Sequence, residues 1–263
     1  MRALNSSSFW WGGHQSTEPL SVLQLVEDGN LSTRLAALLW LAMERSASII
    51  VACGPPMAGK TTTLTSLFAF IPQEAQGYFT RGIGEPFDLP PLDPKLPTYI
   101  LVNELSDHLP VYTWGRYALR AFELLGEGYS LGATMHADSV EEIIDLLEVE
   151  LGIPSSQVGH LTLMVFLYIS RSRPYVRRVQ QVVLIQRNEG NNEFHVLSRW
   201  DESDDAFRVL ESTEARTAFS HWAQLSEEAL DQQLQARDAF LAALLERGVR
   251  ENAEVNEAIA NFR

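Results

Sequence analysis

The stretch VACGPPMAGKTTTLTSLF, residues 51–68, decides how this chain is read. It opens on the end of the apolar run SIIVAC, which has the composition of a buried strand. A loop bounded by Gly54 and Gly59 follows, and residues 60–69 are expected to be helical. Residues 54–61, GPPMAGKT, fit the pattern G-x-x-x-x-G-K-[ST]. Glycines in such a loop let the backbone curl tightly. Its successive N–H groups, together with the N-terminus of the next helix, then stabilise negative charge. In this geometry Lys60 reaches the β- and γ-phosphates of a nucleotide and the Thr61 hydroxyl ligates Mg2+. The expected nucleotide-binding set is Gly54, Met57, Ala58, Gly59, Lys60, Thr61 and Thr62. Pro55 and Pro56 lack an N–H, but they stand at the mouth of the loop, ahead of the main donors.

A phosphate site of this kind also needs an acid nearby. TYILVNE, residues 98–104, is a continuous apolar run ending in a carboxylate, the form of a strand buried on both faces of a parallel sheet. Glu104 is therefore expected at the tip of a strand neighbouring that of the loop, holding the magnesium shell or polarising an attacking water. TMHADS, residues 134–139, puts His136 at the C-terminal end of a central strand, the edge where open α/β sheets bind ligands. His136 there can sense a γ-phosphate or bond the acid of the neighbouring strand; alternatively Asp138 or the start of the next helix satisfies it. No second histidine or cysteine stands at ligand spacing for a zinc-type site, so Thr61 and Glu104 are the metal candidates.

Around these motifs the chain alternates strand and helix. Residues 1–30 are mixed and turn-rich, an arm or an edge segment. Ser32 caps a helix with Leu35, Leu38, Leu39 and Ala42 on one face. GYFTRGI (77–83) reads as a short strand, and 85–97 as a loop with five prolines. Residues 115–125 are helical, and Ser139-x-x-Glu142 forms a capping box for a helix with Val140, Ile143, Ile144 and Leu147 on its apolar face. Gly152 and Pro154 end it. LTLMVFLYIS, YVRRVQQVVLI and EFHVLSRW then read as antiparallel strands, and 227–247 as a helix with Leu230, Leu234, Leu241 and Leu245 on one face. The fold class is α/β: a doubly wound, mainly parallel sheet with added antiparallel strands and a C-terminal helical region. Residues 31–210 form the core and 211–263 the helical region.

Charge narrows the function. Thirty-four acids against 20 lysines and arginines give a net charge of −14, which repels nucleic acid and anionic lipid. The longest apolar runs, at 35–43 and 161–169, are about half of a membrane span. No export signal is expected at the start, nor direct membrane insertion, so a membrane role would go through a partner. Cys53 is the sole cysteine, read as a buried, inert thiol. Arg171, Arg173, Arg177 and Arg178 flank a hairpin turn at SRSRPYVRR and read as a solvated hairpin or a subunit contact rather than a nucleic-acid surface.

GPPMAGKTTTL, TYILVNELSD and GATMHADSVEEIIDLL, in that order, resemble the secretion-superfamily ATPases. These are the motors of type II and type IV secretion, type IV pili and the archaeal flagellum. PLSVLQLVEDGNLSTRLAALLWLAMERSASIIVACG, FLYISRSRPYVRRVQQVVLI, SRWDESDDAFRVL and ARDAFLAALLERGVRENAEVNEAIANF are similar to the archaeal-type branch, so the resemblance runs from about Pro19 to the end. It implies a RecA-like domain using ATP and Mg2+, working as a ring, usually a hexamer, with ATP at subunit interfaces. The ring would sit on the cytoplasmic side, under an inner-membrane platform protein. Lys60 and Thr61 match the phosphate-binding pair, Glu104 the second acidic motif and His136 the histidine motif.

Departures from the pattern are as informative. The family's large N-terminal domain is expected to be missing. GIGEPFD keeps Glu85, Pro86 and Asp88, but Gly84 stands where the first acid belongs, which makes Glu85 the candidate displaced base. The following segment, which bears site-completing arginines in the family, is a proline-rich loop whose only cation is Lys95. Asn103 and Ser106 replace the usual glycine and arginine of the second motif, and Gly128-Tyr129 the paired glycine–histidine. Phosphoryl transfer needs several cations, and losing one arginine finger costs about 10³–10⁵ in rate. Two readings follow: a motor with an atypical site, or an ATP-binding scaffold or regulator that co-assembles with a full-length paralogue.

Overall fold

A computed structural model describes residues 2–3, 19–93 and 95–262, with backbone alone for 2–3. The first element is a two-residue strand, β1 (Arg2–Ala3). Then come α1 (Val22–Glu27) and α2 (Thr33–Met43), capped by the hydroxyls of Ser21 and Ser32. Gln24 returns a side-chain bond to the Ser21 backbone and closes a capping box. The loop strand, β2 (Ile49–Ala52), leads through the phosphate-type loop into α3 (Lys60–Leu67). Next are β3 (Gln76–Phe79), β4 (Thr98–Val102), α4 (Arg116–Glu127) and β5 (Ser130–Met135). The short helix α5 (Val140–Ile144) continues as a wider π turn, Asp145–Glu150, and α6 (Ser155–Val158) follows. Four strands come next, β6 (Leu163–Ile169), β7 (Arg177–Asn188), β8 (Asn191–Asp201) and β9 (Ala206–Val209). The last described elements are α7 (Thr213–Ala223), α8 (Glu227–Glu246) and α9 (Asn252–Phe262).

The strands form one sheet in the order β1-β3-β4-β5-β2-β6-β7-β8-β9. Strands β3, β4, β5, β2 and β6 are mutually parallel, and β1 and β7 to β9 pair antiparallel at the two ends. Alternation along each central strand builds two cores, because successive side chains leave opposite faces. Ile49, Val51, Tyr99 and Leu101 face one core, under α1, α2, α3, α7, α8 and α9. Ile50, Ala52, Ile100 and Val102 face the other, under α4, α5 and α6. The fold is thus the expected class, α/β with a mainly parallel sheet, added antiparallel strands and a C-terminal helical region.

Three sequence expectations change. β6 is not simply one of the antiparallel strands: it pairs parallel with β2 on one side and antiparallel with β7 on the other, and so joins the two halves of the sheet. β4 does not adjoin β2, because β5 lies between them. A parallel strand can be inserted there because the crossover helices carry the chain over the sheet rather than along it. The Ser139 box is only half formed. Ser139 Oγ accepts from Glu142 N, but the Glu142 carboxylate accepts from Asp138 N, one residue too early. Of the calls on residues 1–30, those on 1 and 4–18 lie outside the described residues; 19–30 contain α1, whose Leu23 and Leu25 are buried in the first core.

The order of the strands positions the site. From β2 the chain crosses by α3 on one face toward β3, and from β5 it crosses by α5 and α6 on the other face toward β6. Two loops leaving neighbouring strands in opposite directions open a crevice at the C-terminal edge of the sheet. The loop after β2 and the turn after β5 meet there.

Candidate functional site

Between β2 and α3 the backbone takes two left-handed turns, at Met57 (φ 65°) and Gly59 (φ 93°). The second needs glycine, since an L side chain at that φ is strained. α3 then begins at Lys60, with Thr63 N bonded to Gly59 O, so the first N–H groups of the helix face the loop's concavity. Met57, Ala58, Gly59, Lys60, Thr61 and Thr62 all line one cavity of about 880 Å³. Glu104, His136, Tyr112, Asp28 and residues 174–178 line it as well.

Gly54 belongs to the motif but has a different part. Its N–H donates to Asp138 Oδ1 at 2.6 Å, and it does not line the cavity. A Cβ built at Gly54 would overlap the Asp138 carboxylate. The glycine therefore lets the turn after β5 close onto the loop.

Lys60, at 8% exposure, lies inside the crevice. Its Nζ sits 3.4 Å from Cys53 O and 3.1 Å from His136 Nε2. His136 Nδ1 is 2.7 Å from Gly54 O. A carbonyl only accepts, so Nδ1 donates to Gly54 O, and Nε2 is the ring nitrogen turned toward the other two side chains. The same Nε2 is 3.5 Å from Glu104 Oε2. Lys60, His136 and Glu104, from α3 and the ends of β5 and β4, thus form one chain of contacts across the inserted strand. His136 is not held by Asp138, which is occupied with Gly54. Glu104 is buried at 8% exposure and anchored through its backbone, since Thr113 N donates to Glu104 O at 3.0 Å.

The electrostatics follow from this packing. Burial lowers the Lys60 ammonium below its usual pKa, against the opposing pull of Glu104, Cys53 and Asp138. Cys53 is 2% exposed, and burial, aided by Asp138, raises its thiol to about 11. It is the buried thiol expected of it.

Glu85 is not brought to this cluster. Its Oε1 accepts from Tyr78 Oη at 2.5 Å and from Phe87 N at 2.8 Å, and its Oε2 accepts from Arg81 N at 2.6 Å. Its carboxylate fixes the turn after β3, and Glu85 does not line the cavity.

No protein-family model matches the chain. It is similar to two uncharacterized proteins of Methanocaldococcus jannaschii. One, MJ0900, is 28% identical over 65% of this chain and 34% of that protein. The other, MJ1287, is 26% identical over 84% of this chain and 90% of that protein. The chain therefore spans about a third of the length of MJ0900. Among solved structures it is similar to the VirB11 ATPase from the Brucella suis type IV secretion system in complex with sulphate. That likeness has a TM-score of 0.42 and 19% identity, and covers 62% of this chain and 54% of that one. It is also similar to the Legionella pneumophila ATPase DotB, with a TM-score of 0.39 and 14% identity over 92% of this chain and 66% of that one.

Two groups at the site escaped the sequence reading. Asp138 carried a signal in TMHADS, since an acid just after a strand can reach the loop of the adjoining strand. Arg177 had been read with the hairpin as solvated or as a subunit contact. It also lines the cavity and donates from Nε to Met57 O at 3.1 Å across 120 residues of chain. The residue types near it gave no local sign of that approach.

Proposed function

We propose that this chain is a P-loop ATPase of the secretion type that binds ATP with Mg2+ and hydrolyses it. One observation carries the reading: Lys60, His136 and Glu104, on three separate elements, converge beside the first turn of α3 within one cavity. The donor set suits a magnesium nucleotide. Backbone N–H groups of a left-handed turn and a helix N-terminus favour phosphate. An ammonium reaches the terminal phosphates, and the Thr61 hydroxyl and the Glu104 carboxylate are hard oxygen ligands for Mg2+, which neutralises charge on the phosphates when bound.

In this reading Lys60 binds the terminal phosphates and Glu104, with His136 against it, orients the attacking water. Glu85 has three donors of its own, and these support a role in shaping the turn after β3. The motor assignment, a ring of identical subunits or one shared with a paralogue, and an inner-membrane platform partner on the cytoplasmic side rest on the order of the three sequence motifs. An ATP-binding regulator is the second reading. It is favoured by the scarcity of free cations at the cavity, where Arg178 is already bidentate to Asp205 at 2.7 Å.

Phosphate release by the assembled wild-type chain, with and without Mg2+, tests the proposal. Magnesium-dependent turnover that falls about 10²-fold or more in Glu104→Gln and vanishes in Lys60→Ala supports the ATPase. Nucleotide binding without turnover above buffer selects the regulator.

A further inference from the structure

The two strands β6 and β7 are joined by a tight connection at 170–176, closed by bonds from Ser170 N to Val176 O and from Val176 N to Ser170 Oγ, both 2.9 Å. Ile169 pairs with Arg177 directly below it, so the backbone of Arg177 is fixed by the sheet ladder. Its side chain runs over the phosphate-type loop. A Cβ added at Gly59 would stand 3.7 Å from Arg177 Cδ, and Arg177 Nε is pinned on Met57 O. The guanidinium is therefore held at the rim of the loop, with both Nη groups beyond the bond that anchors it.

Charge pairing at the cavity points the same way. Lys60 is in the field of Glu104, and Arg178 is bonded to Asp205. Among the described residues, Arg177, like Lys60, is a lining cation with no carboxylate within ion-pair distance; its guanidinium lies 5.7 Å from the centre of the Tyr175 ring. An anion in the cavity would give this half-buried guanidinium a charged partner. Its planar fork suits two phosphate oxygens at once.

We infer that Arg177 is a phosphate-contacting residue of the nucleotide site, supplied by the same subunit from the β6–β7 hairpin. The inference rests on the nucleotide reading above. It also gives this site a cation from the sheet side, where the proline-rich loop at 85–97 offers only Lys95.

Binding of ATP and ADP with Mg2+ should be measured by calorimetry on the full chain for wild type, Arg177→Gln, Arg177→Lys and Arg171→Gln. Melting of each nucleotide-free protein is recorded alongside. The expected result is a loss of affinity of about tenfold or more in Arg177→Gln, as for a charge-assisted hydrogen bond. Arg177→Lys should lie between it and wild type, and Arg171→Gln should match wild type. All four should melt at the same temperature. Unchanged affinity in Arg177→Gln overturns the inference. So does weakened binding accompanied by a lower melting temperature and no recovery with lysine, which would make Arg177 a prop for the loop. Wild type that takes up neither nucleotide would bring down the nucleotide reading first, a result distinct from either.

Discussion

Gly54 is the residue whose neighbours say most about how the site is assembled. Its missing Cβ admits the Asp138 carboxylate, which takes its N–H. Gly54→Ala should push Asp138 away and break that bond, at a cost of about 1 kcal/mol, because the freed N–H is reached by water. Adding Asp138→Ala should cost less than the sum of the two single changes, because both remove one bond; denaturant melts of the four proteins check this. Cys53, with its thiol raised to about 11, should react with a disulfide reagent at neutral pH far more slowly in the native than in the unfolded protein. Lys60 carries a sign that can be worked out. Burial lowers its pKa from the ordinary 10.5, so below the folded value it is charged in both states and destabilises the fold. Between the folded value and 10.5 the unfolded chain holds more protons, and this residue's contribution to stability rises with pH. Lys60→Met should therefore melt higher than wild type at neutral pH while losing nucleotide, and that gap should close as pH approaches 10.5. A lower melting temperature for Lys60→Met would show that the lysine is not held at a cost.

At the scale of elements, α2 and α8 pack against each other in the first core, and one ion pair links them. Arg237 Nη2 lies 2.5 Å from Glu44 Oε2, and the guanidinium sits 5.2 Å from the centre of the Trp40 ring. Trp40 in turn stacks on Phe70 at 5.2 Å. Arg237→Ala removes both this pair and the stem packed on Trp40, so it should destabilise by about 1–3 kcal/mol, whereas Arg237→Met, which keeps the packed stem, should cost distinctly less. Thermal denaturation of the two variants decides between charge and packing. Elements were the part of the fold most legible in sequence. Ser32 and its apolar face gave α2, and the continuous run at 98–104 gave β4, because these signals are local. The Ser21-x-x-Gln24 box of α1 was equally local and was passed over in a turn-rich stretch. β6 was misjudged because an apolar run cannot say whether its neighbour runs parallel or antiparallel to it.

Across the whole molecule, the sheet order turns separate motifs into a site. The phosphate loop, Glu104 and His136 were each legible from residue type and from a strand end. That β5 lies between β2 and β4, with His136 bridging Lys60 and Glu104, was not, because strand order is set by crossovers that leave no local trace. The same holds for Arg177, brought to Met57 by the β6–β7 ladder, and for Glu85, whose three bonds form only once β3 and its turn are in place. Titrating Mg-ATP into wild type and into Lys60→Ala by calorimetry tests the central claim most directly. The account predicts saturable, magnesium-strengthened binding in wild type that disappears with the lysine. Heats identical in both proteins, or none in wild type, would contradict it.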